Sequence, residues 1–461
     1  MKARLIGLVM TVAVVASVCA TMAVASPVRA ASATTYTGSI DGAAYLIEVP
    51  QNWNGTLVLY SHGYVVPGAS NPARDVGDPA TGAWLLAHGY ALAGSSYSTT
   101  GWAIQQAFHD QIALLDYFDS HIGQPTQTIA WGHSLGGIIT AGLIQLYPDR
   151  FAAALPMCGV LSGGVATWNT ALDGAFALNV LLAGNNPLQV VHITNPNANL
   201  GHAEQVLAAA QATPQGRARI ALAAALSDVP GWFQTGSPEP AETDWTAQEA
   251  NQEAWLANVD GPFEFAFRAE LEARAGGNPS WNTGVDYRHQ LSISAFGREV
   301  ENLYKQAGLS LQGDLAALNG APRISADEGA VSYLKKYISF NGNISIPVLT
   351  MHTTGDGLVI NQNEQAYASV VRSTGHESFL RETFVHRAGH CAFTPAETIT
   401  AFQTLIHRMN THEWGDSTNP ELMNAEAAEL GPTYNVAPPA FLHFEPTQYP
   451  RPYTLRSGGG R

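Results

Sequence analysis

The chain has 461 residues, 46% of them hydrophobic and 13% charged, with a formal net charge of −15. Such a length supports one large or two modest domains with filled cores, and the composition excludes a disordered chain. The acidic balance works against nucleic acid and anionic membrane surfaces, so neither is expected as a partner.

The N-terminus, MKARLIGLVMTVAVVASVCATMAVASPVRAASA, sets Lys2 and Arg4 before an apolar run that ends in small residues. This is the layout of a secretory signal. An uncleaved membrane anchor is the competing reading, because the run is nearly long enough to span, but Thr and Ser interrupt it. A lipid anchor on Cys19 fits poorly with Val18 before it. Cleavage after Ala30 makes residues 1–30 the signal peptide and shifts the formal charge from −15 to −18 by removing Lys2, Arg4 and Arg29. The expected mature protein is secreted, with no stable membrane insertion. It keeps two cysteines, Cys158 and Cys391, which in an oxidising compartment most simply form one disulfide.

Residues 31–160 alternate apolar runs with amphipathic stretches, the pattern of a parallel sheet with crossover helices. GTLVLYSHGY, YALAGSSYS, TQTIAWGHS and FAAALPMCG read as buried strands. The third runs directly into LGGIITAGLIQLYP, a helix pattern that stops before Pro148. Continuous apolar strands are what a sheet covered on both faces requires. The next such strand, IPVLTMHTTGD, begins only at Ile346, so residues 161–343 need structure of their own. HAEQVLAAAQATPQGRARIALAAALSDV, TAQEANQEAWLANV, EFAFRAELEARAGG and GREVENLYKQAGL suit helices, and the segment is expected to be a mainly helical insertion. Core structure resumes over residues 344–415 with ETFVHRAGH as a last strand and PAETITAFQTLIHRMNTH as a last helix. Residues 416–461 are proline-rich and aperiodic, and an extended packing with a loose RSGGGR end is expected.

GHSLGG, Gly132 to Gly137, matches G-x-S-x-G and sits between a strand and a helix, where that motif works. A strained turn lifts the Ser134 hydroxyl above the sheet edge, and glycines on either side let the turn pack. The following helix offers free N–H groups to developing negative charge. A serine hydroxyl needs a base to take its proton and donors for the oxyanion. The backbone N–H groups of Leu135, after the serine, and of Tyr64, after the HG at an earlier strand end, are the expected donors. Asp356, in a G-D-G turn after the Ile346 strand, is the expected carboxylate that orients the base. His376, His386, His390, His407 and His412 follow it. His390, in the loop after the last strand, is best placed to reach back to Ser134, with His386 in reserve.

In this order HGY, GHSLGG, IPVLTMHTTGD and GHCAF resemble the α/β-hydrolase superfamily, in particular its exported bacterial esterase-like members with a helical cap. The likeness covers residues 40–160 and 344–410. It implies an α/β fold with a mostly parallel central sheet and a large helical cap. It also implies functional roles for Ser134, Asp356, His390, Tyr64 and Leu135. HTTGD departs from the pattern, since such strands often have glycine soon after the histidine.

No cofactor or metal is expected: H-E-x-x-H, C-x-x-C and the G-x-x-x-x-G-K-[ST] phosphate loop are all missing. The adjacent His390 and Cys391 make a poor thiol–imidazole pair, since neighbours in a loop rarely aim at one another. Trp168, Trp232, Trp245, Trp255 and Trp281, with Phe263, Phe265 and Phe267, either roof an apolar pocket or fill the insertion's core. The function expected is hydrolysis of carboxylic esters, small or polymeric, through an acyl-enzyme. A peptidase, an acyltransferase or an inactive binding module on the same scaffold are the alternatives, and the oligomeric state stays open.

Overall fold

A computed structural model describes residues 32–455. The expected signal peptide with Cys19 and the terminal RSGGGR lie outside the described residues.

The strands are β1 (Ala33–Ile40), β2 (Ala43–Pro50), β3 (Thr56–Ser61), β4 (Ala91–Ser95), β5 (Gln127–His133), β6 (Ala153–Met157), β7 (Val348–Gly355), β8 (Leu380–Ala388) and β9 (Phe441–Leu442). They form one sheet in the order β1-β2-β4-β3-β5-β6-β7-β8-β9. β4, β3, β5, β6, β7 and β8 pair in parallel, while β1, β2 and β9 add antiparallel margins. The α/β fold read from the sequence is the fold observed.

Side-chain alternation explains why the inner strands are apolar throughout. Leu57, Leu59, Ala130 and Ala154 face one packed layer, and Val58, Tyr60, Ile129, Trp131 and Leu155 face the other. With helices on both faces, each position of the strand has to be apolar. β1 and β2 were not singled out in the sequence. They join through Asp41 and Gly42, both at positive φ, and β1 is largely exposed. An Asp-Gly pair of this kind suits a two-residue hairpin turn.

Between β6 and β7 the chain is mostly helical, with helices from Gly164–Leu182 to Glu328–Lys336. They build a core of their own around Phe176, Leu222, Phe265, Tyr287 and Tyr304. The long alanine-rich stretch near residue 212 divides in two, Pro196–Gln211 and Pro214–Leu226, because Thr213 caps the second helix and Pro214 begins it. The tail corrects the expectation of an extended, aperiodic segment. Asn419 caps a helix over Pro420–Glu429, its side chain accepting from the N–H groups of Glu421 and Leu422. That helix packs on Pro395–Thr411 and is followed by β9.

Candidate active site

The corner after β5 is built around glycine. A Cβ on Gly132 would come 2.5 Å from the carbonyl oxygens of Gly136 and Ser61, and one on Gly136 would overlap Ser61 outright. Ser134 sits at the crest with φ 59° and ψ −122°, a strained conformation for a side-chain-bearing residue. Its N–H donates to the Met157 carbonyl at 3.0 Å, tying the crest to β6. It precedes the helix Leu135–Leu146 without capping it, so its hydroxyl is not used up by the helix. A Cβ on Gly63 would lie 3.4 Å from Ser134 Cβ, which sets the HGY loop directly against the serine. Tyr64 and Leu135 line the same cleft as Ser134, and neither N–H donates to an acceptor among the described residues. His62 braces that loop: it is buried, stacks on Tyr97 at 4.0 Å, and its ring nitrogens meet the carbonyls of Gly63 and Ser96.

Asp356 and His390 are brought together. His390 Nδ1 lies 2.7 Å from Asp356 Oδ2, and Asp356 Oδ1 accepts from the Val359 N–H at 3.0 Å. Burial opposes the Asp356 carboxylate, but the charge of His390 and hydrogen bonds from His352 and His390 hold its pKa below the usual range. The flanking glycines have steric reasons: Gly355 abuts the Ala388 backbone, and the Trp255 indole of the helical insertion packs directly over Gly357.

The loop that carries His390 is fastened from several sides. The Gly389 N–H donates to Gly355 O at 3.0 Å, and Thr353 Oγ1 donates to Gly389 O at 2.7 Å. Arg387 forks onto Glu397 at 2.6 and 2.9 Å and donates to Ala392 O. Cys391 is disulfide-bonded to Cys158 across a sequence separation of 233, with Cα atoms 5.4 Å apart. His390 Nε2 lies 3.4 Å from Cys391 Sγ and forms no hydrogen bond to Ser134 here. Free enzymes often hold this contact long until substrate arrives. Cys158, His390 and Cys391 gather their ligand-type atoms within 4.8 Å, but the disulfide leaves no thiolate among them for a metal.

Of the other histidines, His386 points from β8 towards Glu239 at 3.4 Å, and none of His376, His407 and His412 lines the cleft. Sequence reasoning missed His133 and His352. Burial, and then the nearby charge of His390, push His133 down to about 4, so it stays neutral beside the serine. His352 lies buried behind Asp356.

The Ser134 cleft measures about 80 Å³, walled by Tyr64, Trp102, Trp168 and Phe263. Only Trp168 and Phe263 of the insertion's aromatics reach it, while Trp255 and Phe265 fill the helical core. A wider cleft of about 520 Å³ opens beside Asp228, Glu239 and His386, away from the serine. Among the described residues no helix is long and apolar enough to cross a membrane.

A parallel sheet with helices on both faces and a strained serine at the strand–helix corner defines an α/β-hydrolase-fold serine hydrolase. Two sequence relationships agree with this class. Residues 88–192 match the Prolyl oligopeptidase family. An o-phthalyl amidase from Xanthobacter agilis is 31% identical over 422 residues, covering 85% of this chain and 90% of the relative. The chain therefore belongs to the family of serine hydrolases that includes this amidase. Similar solved structures include feruloyl esterase B from Aspergillus oryzae, at 15% identity and TM-score 0.38, covering 82% of this chain and 80% of that one. The cell-wall-degrading esterase LipA from Xanthomonas oryzae has 13% identity and TM-score 0.34, with 74% and 77% covered.

Proposed function

We propose that the protein is a secreted hydrolase of small carboxylic esters and amides that works through an acyl-enzyme. Ser134 attacks the carbonyl carbon while His390 takes its proton, and the N–H groups of Tyr64 and Leu135 receive the oxyanion. His390 then returns the proton to the leaving alcohol or amine. Water, deprotonated by the same imidazole, releases the acid. Asp356 keeps His390 in the tautomer with Nε2 free and steadies the imidazolium as it forms. The observation that carries this reading is the 2.7 Å contact of His390 Nδ1 with buried Asp356, in a loop stapled to the strand end beside Ser134.

The small aromatic cleft favours a compact acyl group over a polypeptide segment. The amidase relative supports adding amides to the esters expected from sequence. Export is supported by the signal-like N-terminus and by a disulfide suited to an oxidising compartment.

The test is turnover of p-nitrophenyl benzoate and the matching p-nitroanilide, with fluorophosphonate labelling, on the wild type and Ser134→Ala. Wild type is expected to label and turn over, and the variant to lose about 10⁴–10⁶ in kcat. A wild type that does not label, or an active alanine variant, overturns the reading.

A further inference from the structure

The cleft beside Ser134 is not purely apolar. Asp260 and Glu264 line it, 7% and 4% exposed, and each has a buried oxygen, Asp260 Oδ2 and Glu264 Oε2, with no hydrogen-bond partner. Both belong to a helix widened into π-turns over Leu256–Asp260 and Phe263–Phe267. Pro262, between them, has no N–H and its ring pushes away the preceding turn, which accounts for the widening. A Cβ on Gly261 would lie 2.6 Å from Leu256 O, so the wide turn also depends on that glycine. Such widenings are uncommon and concentrate at functional sites. Here the distorted stretch places two acids, with Phe263 between them in sequence, on the wall of the cleft that holds Ser134.

Two carboxylates cannot both stand ionised on one dry wall without donors. Burial raises both pKa values, Glu264 to about 8 against the opposing pull of the Arg268 guanidinium, while repulsion between the two carboxylates and the charge of Asp356 push Asp260 up further. A neutral acid has an O–H that needs an acceptor, and the described residues give these oxygens none. One fixed positive charge lies behind the aromatic wall. Arg268, fully buried, lies 5.1 Å over the Trp168 ring and donates to Ser280 Oγ and Trp168 O. Glu272, one turn further on, accepts from the His192 N–H and is not part of the cleft wall. A ligand ammonium would be repelled by that guanidinium through the wall and would have to displace the acid protons. A ligand oxygen satisfies both acids as they stand. Buried carboxylic acids held neutral to donate in this way are a known device of active sites.

We propose that Asp260 and Glu264, as acids, are the specificity-determining pair of this cleft. They donate hydrogen bonds to an oxygen acceptor, a carbonyl or a carboxylate, borne by a flat aromatic acyl group. The aromatic walls take the ring, and the acids read its substituent. This rests on the Ser134 acyl-enzyme reading and adds the class of acyl group.

The test compares kcat/KM for p-nitrophenyl esters of plain benzoate and of benzoates bearing a carbonyl, a carboxylate or an ammonium group. Wild type is expected to favour the oxygen-bearing esters over plain benzoate by about tenfold or more, the scale of one or two buried hydrogen bonds. Carbonyl and carboxylate arms show which oxygen is preferred. Glu264→Gln and Asp260→Asn still donate an N–H and keep most of that ratio, whereas Glu264→Leu and Asp260→Leu bring it close to one. Fluorophosphonate labelling shows that each variant is folded at Ser134. An ammonium preference, a ratio unchanged by leucine, or equal loss in the amide and leucine variants overturns the proposal. If wild type hydrolyses no ester and does not label, the Ser134 reading fails instead.

Discussion

His352 Nε2 lies 3.5 Å from Asp356 Oδ2, with neither side chain exposed to solvent. The same nitrogen is 2.7 Å from the Val359 carbonyl, and Nδ1 is 2.8 Å from Glu364 Oε1. Both ring nitrogens face acceptors, so both carry protons and His352 is a buried imidazolium. Burial opposes that charge, but Asp356 and Glu364 outweigh it and raise the pKa to about 10. Asp356 Oδ2 thus stands between two imidazoles, His352 behind and His390 in front.

The cation behind Asp356 weakens that carboxylate's pull on a His390 imidazolium. Replacing His352 by Gln is therefore expected to move the acidic limb of kcat/KM to higher pH, by roughly half a unit to one unit. A pH–rate profile checks this, and an unmoved limb would show that His352 serves packing alone.

The same residue links stability to pH. The folded protein holds the His352 proton to about pH 10, while an unfolded chain releases it near pH 6.5. Its contribution is complete below about pH 6.5 and fades as pH rises through 10. Asp356 runs the other way, its depressed pKa adding stability above about pH 4 that is lost on acidification. Urea midpoints for wild type and His352→Gln should differ widely at pH 6, by about 3–5 kcal/mol in stability, and converge at strongly alkaline pH. A gap independent of pH would exclude a charged His352.

The disulfide closes a long loop and holds the residue next to His390. The Cys158→Ala/Cys391→Ala double variant is expected to lose about 2–5 kcal/mol of stability. Its turnover should fall at temperatures where the fold still persists, because the His390 loop gains freedom. Thermal melts with and without dithiothreitol test the first part, and identical melts would remove any structural role for the bond.

Gly136 and Gly201 give opposite outcomes for one substitution. Gly136→Ala forces a methyl into the Ser61 carbonyl, and loss of both fold and fluorophosphonate labelling is expected. Gly201, inside the helix Pro196–Gln211, has nothing within 4 Å of a Cβ. Gly201→Ala should stabilise by about 0.5–1 kcal/mol. Chemical denaturation separates the two, and a tolerant Gly136 would contradict the tight serine corner.

Local pattern was enough for the inner sheet. β3 to β6 are largely apolar on both faces because each face is covered, and the serine corner announces itself through glycines at fixed offsets from Ser134. The chain order of Ser134, Asp356 and His390 was legible for the same reason, since a strand end places whatever follows it. The margins were not. β1 is largely exposed, so no apolar run marks it, and the tail helix Pro420–Glu429 carries only a weak apolar stripe after its Asn-Pro start. What the tertiary structure alone decided is partnership. His352 reads as one more histidine in a strand, and Asp260 and Glu264 as ordinary helix acids, until the fold buries them. His352 then lies between two carboxylates, and the two acids have no donor for their buried oxygens. Charge state depends on burial and on neighbours far away in the chain, and sequence spacing carries neither.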